Sequence, residues 1–241
     1  MLKTAVIFKT HTWNTNIELF VKKIMIDTRS SHIDFYVLIH DEKNSIPRKI
    51  KTQEILKHVV TFTQNDITSI YKSGFINMWL SNHWVLMWFW KNIMGIYEYV
   101  WSIEYDVRIS GSTSLIWNIN SDADLIYPIG NYCKPNSTYS NSYEGIDLSD
   151  NEKRVGFLQL ARYSKKALDY LDSCYSLGIN GQDELITFSL MNKSNLIMTN
   201  KPIKNLIAGT WTWLNEKSFQ NTILYLKYNK DNRLAIFHPV K

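Results

Sequence analysis

The first 62 residues alternate short apolar runs with polar or helix-spaced segments, and this alternation limits the choice of fold. Residues 4–8 form a β-branched and aromatic run, and residues 14–26 carry apolar side chains at helical spacing. Further apolar runs follow at 33–39 and 59–62, each closed by polar residues. Strands that alternate with helical spacers predict an α/β fold, with a mostly parallel central sheet flanked by helices.

The remaining chain continues this pattern without an internal repeat or a linker. Strands are predicted at 97–103, 125–129, 155–160, 196–199 and 234–237, and helices at 164–175 and 183–191. The segment 131–151 is rich in Asn, Ser, Tyr and Gly, which predicts a long loop. With 241 residues, of which 45% are hydrophobic, the chain is predicted to form a single domain, 1–241.

Segment 75–94 is mostly apolar and contains Trp79, Trp84, Trp88 and Trp90. A membrane-spanning helix needs roughly 20 consecutive apolar residues, whereas this segment is interrupted by Ser81-Asn82-His83. A buried core helix is therefore predicted. The sequence leaves open a peripheral contact of 75–94 with a membrane or with a second copy of the chain.

The formal net charge of +5 suits nucleic acid, an anionic membrane surface or a phosphate-bearing small molecule. The basic residues are scattered along the chain, so no nucleic-acid partner is predicted. Cys133 and Cys174 match neither a zinc spacing nor a disulfide framework, which predicts two free thiols. The N-terminus lacks the order of a signal peptide, so we expect a cytoplasmic protein. Abundant Asn, Lys and Ile are typical of an AT-rich bacterial or viral genome, and hence of a bacterial or virus-infected cell.

Two acids close the predicted strand at 97–103. Glu104 and Asp106 stand two residues apart, so an extended backbone would direct both side chains to the same face. Carboxylate oxygens are preferred ligands of Mg²⁺ and Mn²⁺. Solvated acids at a strand end are the alternative, and a metal-dependent nucleotidyltransferase would use such acids as well.

Residues 101–111 read W-S-I-E-Y-D-V-R-I-S-G and resemble the E-Y-D-V-R-x-S/T-G segment of a group of glycosyltransferase-like proteins of GT-A type. The resemblance implies a GT-A fold, in which a D-x-D-like motif holds a divalent metal, Mn²⁺ or Mg²⁺. It makes Asp106 the direct metal ligand. Glu104 then stands in for the first Asp of the motif and serves the water shell of the metal or the donor ribose.

The resemblance also implies roles for residues elsewhere in the chain. His238 corresponds to a late-chain His that reaches the metal in many GT-A enzymes. Asp183 and Glu184 lie at a predicted helix start, where inverting GT-A enzymes place a general base, although Asp183 equally suits a helix cap. The implied nucleotide-binding residues are Thr10, His11, Thr12, Asp41 and Arg108, and the candidate acceptor-binding residues are Trp211 and Trp213. Each assignment has an alternative. The short polar residues could cap the next helix, Arg108 could pair with the nearby acids, and the tryptophans could pack within a late loop.

The resemblance implies an enzyme, a hexosyltransferase-like glycosyltransferase. It would move a sugar from a nucleotide diphosphate donor, with a UDP-sugar favoured, to a hydroxyl group of a glycan or another acceptor. Residues 1–106 would form the nucleotide-binding half and residues 107–241 the acceptor-side half. A non-catalytic sugar-binding module of the same fold and the nucleotidyltransferase are the alternatives.

Overall fold

The computed structural model describes residues 3–31, 33–43, 45–71, 82–93, 96–132, 142–212 and 215–241. The strands in these ranges are β1 (Thr4–Thr10), β2 (Asp34–His40), β3 (Val59–Phe62), β4 (Tyr99–Glu104), β5 (Arg108–Ser110), β6 (Leu125–Ile126), β7 (Gly130–Tyr132), β8 (Tyr143–Glu144), β9 (Arg154–Gly156), β10 (Leu160–Ser164), β11 (Asn180–Gly181), β12 (Met198–Thr199) and β13 (Ala235–Phe237). The helices are α1 (Thr15–Ser30), α2 (Gln53–Leu56), α3 (Gln64–Thr68), α4 (His83–Ile93), α5 (Ser114–Trp117), α6 (Lys165–Ser176), α7 (Asp183–Lys193), α8 (Lys201–Lys204) and α9 (Asn215–Lys230).

A seven-stranded sheet runs through the described residues in the order β12-β6-β10-β4-β1-β2-β3. The β1–β2, β2–β3 and β12–β6 pairs are parallel, and the β10–β6 pair is antiparallel. Three smaller two-stranded sheets, among the described residues, pair β11 with β8, β13 with β5 and β7 with β9. The predicted α/β fold with a mostly parallel sheet is confirmed.

The chain divides into two compact units. Unit 1 comprises Met1–Lys3, Thr63–Val100 and Asp122–Asn200, and unit 2 comprises Thr4–Phe62, Trp101–Ser121 and Lys201–Lys241. Each unit combines segments from both sides of residue 106. The assignment of a nucleotide-binding half and an acceptor-side half stays a prediction.

The β1–α1 opening of unit 2 forms for the local reasons that the sequence indicates. All residues of β1 after Thr4 are buried, as expected of a central strand. Asn14 caps α1, because its Oδ1 accepts a hydrogen bond from the Ile17 backbone N–H at 2.9 Å. The helix then buries one face, including Phe20 and Ile24, at the predicted spacing.

The tryptophan-rich segment is helical where it is described. In α4, Trp84 and Trp90 are buried, and the indole N–H of Trp84 donates to Asn180 Oδ1 at 3.0 Å. A buried indole N–H that finds an acceptor is compatible with a protein core. The described residues contain no helix that is long and apolar enough to cross a membrane. Residues 75–81, including Trp79, lie outside the described ranges, so a peripheral contact through 75–94 stays a prediction.

Two expectations for the middle of the chain need correction. The strand expected at 155–160 is divided into the end of β9 and the start of β10, with 157–159 between them. Gly156 packs so closely on Phe188 that an added Cβ would lie 2.2 Å from the ring. The expected loop at 131–151 contains the short strands β7 and β8 in its described parts. Cys174 is a free, buried thiol, and Cys133 lies outside the described residues.

Candidate metal and nucleotide site

Unit 2 brings two of the predicted metal ligands together through the pairing of β5 with β13. Phe237 pairs with Arg108 in this antiparallel ladder, so the residue after β13 meets the residues before β5. The Val240 backbone N–H donates to the Asp106 carbonyl oxygen at 2.8 Å. As a result, His238 Nε2 lies 3.5 Å from Asp106 Oδ2.

These two side chains suit a divalent cation. The His238 side chain is 3% exposed and that of Asp106 is 19% exposed. Asp106 Oδ1 is buried and has no hydrogen-bond partner among the described residues. A buried carboxylate oxygen in this condition is costly, and a cation that prefers oxygen ligands would satisfy it. Neutral imidazole is a competent second ligand.

Glu104, the third predicted ligand, lies at the end of β4 beside Lys9 of β1. Lys9 Nζ is 3.6 Å from Glu104 Oε1. Burial raises the pKa of Glu104 above its usual value, and the Lys9 ammonium opposes this shift without cancelling it. No three His, Cys, Asp or Glu side chains in the described part of the chain are arranged to hold a metal ion. The structure thus presents a pair of candidate ligands, and a ligand role for Glu104 stays a prediction.

Lys9 is a site residue that the sequence reading missed. Lys9 is buried although it carries a charge, and its ammonium faces the carboxylate of Glu104. A buried lysine is normally paired, because an isolated charge is strongly disfavoured away from water. The available signal was a single Lys at the end of an otherwise apolar strand.

His11, a predicted nucleotide-binding residue, lies beside the acidic segment. Its ring meets the ring of Tyr105 edge to face, with 4.7 Å between the centroids. Burial and the nearby His40 lower the pKa of His11, and Asp106 opposes this shift. A lowered pKa favours the neutral imidazole, in which one ring nitrogen donates and the other accepts a hydrogen bond.

Thr10 and Thr12 stabilise the turn that follows β1. The Thr10 hydroxyl donates to the Thr12 carbonyl oxygen at 2.6 Å and accepts from the Thr12 backbone N–H at 3.1 Å. Such a turn is a local structural role of short polar side chains. Nucleotide contacts of Thr10 and Thr12 stay predictions.

Asp41 follows β2 and caps its own loop. Its Oδ2 accepts from the Ile46 backbone N–H at 2.5 Å, and its Oδ1 accepts from the Lys43 backbone N–H at 3.2 Å and the Ser45 hydroxyl at 3.4 Å. Burial acts to raise the pKa of Asp41, but these hydrogen bonds lower it below its usual value. The carboxylate thus holds the backbone of Lys43 and Ile46 and the side chain of Ser45, and a contact with nucleotide stays a prediction.

Asp41→Ala is expected to lower the free energy of unfolding by about 2 kcal/mol near neutral pH, because two backbone N–H groups lose a charged acceptor. The folded-state pKa of Asp41 is lowered, so this stabilisation is present above the unfolded pKa of about 3.9 and is lost as the pH falls through the folded value. Urea unfolding of both proteins at neutral and at acidic pH should show the difference shrinking in acid. A difference that is independent of pH would contradict this role.

Arg108 is buried and directed towards the backbone. Its Nη1 donates to the carbonyl oxygens of Tyr105 at 2.6 Å and Val107 at 2.9 Å, and its guanidinium lies 4.9 Å from the Phe20 ring centroid. Burial lowers the pKa of Arg108 below its usual value, and the nearby Tyr225 and Asp106 oppose this shift. Arg108 thus fixes the turn that carries Asp106, and its contact with a diphosphate stays a prediction.

Two further side chains hold His238. The Trp211 ring packs on the His238 ring, with 5.0 Å between the centroids. Asn221 of α9 donates from its buried Nδ2 to the carbonyl oxygens of Thr210 and His238, both at 2.9 Å, and of Pro239 at 3.2 Å. The sequence reading missed Asn221, because one Asn inside a helix gives no local signal. Stacking of Trp211 on an acceptor sugar is untested, and Trp213 lies outside the described residues.

The candidate bases Asp183 and Glu184 begin α7 in unit 1. The helix cap is Gln182, whose Oε1 accepts from the Leu185 backbone N–H at 2.8 Å, so the alternative of Asp183 as the cap is corrected. Glu184 Oε1 accepts from Gln159 Nε2 at 2.8 Å. Both carboxylates are buried, and their role as a base stays a prediction.

No protein-family model and no curated protein matches this sequence. Similar solved structures include an active-site mutant of LgtC, at 12% identity over 98% of this chain and 87% of that chain, with a TM-score of 0.45. The catalytic domain of Drosophila β1,4-galactosyltransferase 7 is 10% identical over 83% of this chain and 65% of its own, with a TM-score of 0.44. The inositol-1-phosphate CTP transferase from T. maritima is 9% identical over 83% of this chain and 84% of its own, with a TM-score of 0.43. At such identities and scores, these likenesses do not decide the activity of this chain.

Proposed function

We propose that this protein is a glycosyltransferase that uses a nucleotide diphosphate sugar and a divalent cation, Mn²⁺ or Mg²⁺, held by Asp106 and His238. The observation that carries the proposal is the pairing of these two side chains at 3.5 Å, with Asp106 Oδ1 buried and lacking a hydrogen-bond partner among the described residues. The resemblance of 101–111 to the E-Y-D-V-R segment supports the same reaction class. A bound cation would supply positive charge to stabilise the departing nucleoside diphosphate.

Two side chains of unit 2 near this pair have complementary tasks. The His11 imidazole lies beside Tyr105, and its neutral form, which the lowered pKa favours, provides a hydrogen-bond donor without a fixed charge. The Lys9 ammonium neutralises Glu104, which leaves Asp106 as the acid available to a cation. We assign Asp183 or Glu184 as the base for the acceptor hydroxyl if the reaction inverts configuration. A UDP-hexose is the favoured donor, and a glycan hydroxyl the favoured acceptor.

The first test is calorimetric titration of UDP and then GDP into the protein, with Mn²⁺ and with a chelator. We expect Mn²⁺ to tighten UDP binding at least about tenfold, because a cation held by Asp106 and His238 would supply positive charge to the diphosphate. A parallel assay follows hydrolysis of UDP-sugars and release of pyrophosphate from nucleoside triphosphates.

Each other result selects a different function. Pyrophosphate release without hydrolysis of any nucleotide sugar would identify a nucleotidyltransferase. Binding of free sugars that is unaffected by metal, without binding of either nucleotide, would identify a non-catalytic sugar-binding module. Both results would overturn the proposal.

A further inference from the structure

Helices α1 and α9 of unit 2 expose large apolar side chains to solvent. These residues are between 52% and 70% exposed: Leu19, Ile26, Phe219, Ile223 and Leu226. On α9 they are spaced four and then three residues apart, and on α1 they are seven apart, so each set lies on one face of its helix. We call these five residues the helix-pair surface. Isolated exposed apolar residues are ordinary, but a clustered set marks an interaction site.

One residue of each stripe lines a groove between the helices. The groove has a volume of about 360 Å³ and is lined by residues of both helices, including Leu19 from α1 and Leu226 from α9. Lys241 also lines it, whereas the ammonium of Lys23, another lining residue, donates to the carbonyl oxygens of Ile109 and Gly111. The groove therefore connects Leu19 with Leu226 and has the exposed Lys241 at its edge.

Basic residues accompany the apolar stripes, and both acids of α1 are engaged by hydrogen bonds from other segments. Lys22 is exposed between Leu19 and Ile26, and Lys227 and Lys230 are exposed beside and beyond Leu226. Of the two acids on α1, Glu18 accepts hydrogen bonds from the Thr52 backbone N–H and hydroxyl at 2.8 and 2.7 Å, and Asp27 accepts from the Thr113 backbone N–H and hydroxyl at 2.7 and 2.8 Å. Two exposed acids lie at the ends of α9: Glu216 is one turn before Phe219, and Asp231 directly follows Lys230.

We propose that the helix-pair surface binds an anionic phospholipid membrane. An apolar face bordered by lysines is the arrangement by which helices lie in the membrane interface, since the apolar groups enter the acyl boundary and the lysines meet anionic headgroups. The charge favours this occupant over a second copy of the chain, because two copies would bring the same lysines together. The inference is independent of the proposed enzymatic activity.

Flotation with vesicles tests this surface on the whole protein. We expect binding to vesicles of phosphatidylcholine mixed with phosphatidylglycerol, weaker binding to phosphatidylcholine alone, and loss of binding at high salt. Phe219→Ser combined with Ile223→Ser should lower the partition coefficient at least about tenfold, because two apolar side chains no longer enter the interface. Replacing Lys227 and Lys230 with Gln should lower it about fivefold for each lysine.

Leu115→Ser and Leu177→Ser are matched controls, because both leucines are also exposed but lie outside α1 and α9. They should leave vesicle binding unchanged, and circular dichroism should show that every variant is folded. Equal binding of wild type and the Phe219/Ile223 variant would overturn the proposal. So would a lack of vesicle binding together with self-association in sizing chromatography that the same variant abolishes, since this would make the surface an interface between copies.

Discussion

Asp106→Ala is expected to lower the affinity of the protein for Mn²⁺ at least about 100-fold, since loss of a residue that merely supports a metal ligand already costs 10–100-fold. The Ala variant retains the backbone carbonyl that accepts from Val240, so the β5–β13 pairing has no reason to open. Metal-dependent UDP binding should disappear together with Mn²⁺ binding. Calorimetric titration of Mn²⁺ alone, followed by UDP, measures both effects.

Two variants separate the ligand from its surroundings. Asp231→Ala removes an exposed acid from unit 2 and should leave Mn²⁺ binding unchanged. Glu104→Gln should weaken Mn²⁺ binding less than Asp106→Ala, because Glu104 is paired with Lys9. An unchanged Mn²⁺ affinity in Asp106→Ala would remove Asp106 from the metal site, and a larger effect of Glu104→Gln would make Glu104 the principal ligand.

The elements that were predicted most closely are those whose signal is local. The β1–α1 unit follows from a short apolar run, the polar residue Asn14 and helical spacing, all within 30 residues of sequence. The split of the strand expected at 155–160 was not predictable in this way. Its apolar residues read as one strand, whereas the close contact of Gly156 with Phe188 involves a helix that lies 30 residues further along the chain.

The candidate site shows the same division between local and distant information. The E-Y-D-V-R segment identifies Asp106, but spacing alone gives no reason for His238 to meet it. Their proximity depends on the register in which Phe237 pairs with Arg108, which is a tertiary feature. The ion pair of Lys9 with Glu104 is also tertiary, since it joins different strands. Composition and periodicity carry no information about either contact.

Asn221 is the clearest example of a residue near the site that sequence patterns could not identify. It lies in the helix 215–230, yet its side chain is buried and connects two loops. Its Oδ1 accepts from the Thr210 backbone N–H at 3.0 Å, while its Nδ2 donates to carbonyl oxygens on both sides of the connection. Gly209 permits this approach, because its φ is +71° and an added Cβ would lie 2.2 Å from Asn221 Oδ1. The amide therefore positions His238 from a distance in sequence.

Asn221→Ala is expected to lower the free energy of unfolding by about 3 kcal/mol, because several buried backbone groups lose their partners. It should also weaken Mn²⁺ binding about tenfold, as His238 loses the hydrogen bond that fixes its backbone. Ile55→Ala provides the control, since Ile55 is fully buried in α2. Its truncation is expected to lower the free energy of unfolding by a similar amount, about 3 kcal/mol. Denaturant unfolding and calorimetric titration of Mn²⁺ should show equal destabilisation but weakened metal binding in Asn221→Ala alone. Equal Mn²⁺ affinities in the two variants would limit Asn221 to a structural role. His238 would then be held in place by Trp211 and the β5–β13 pairing.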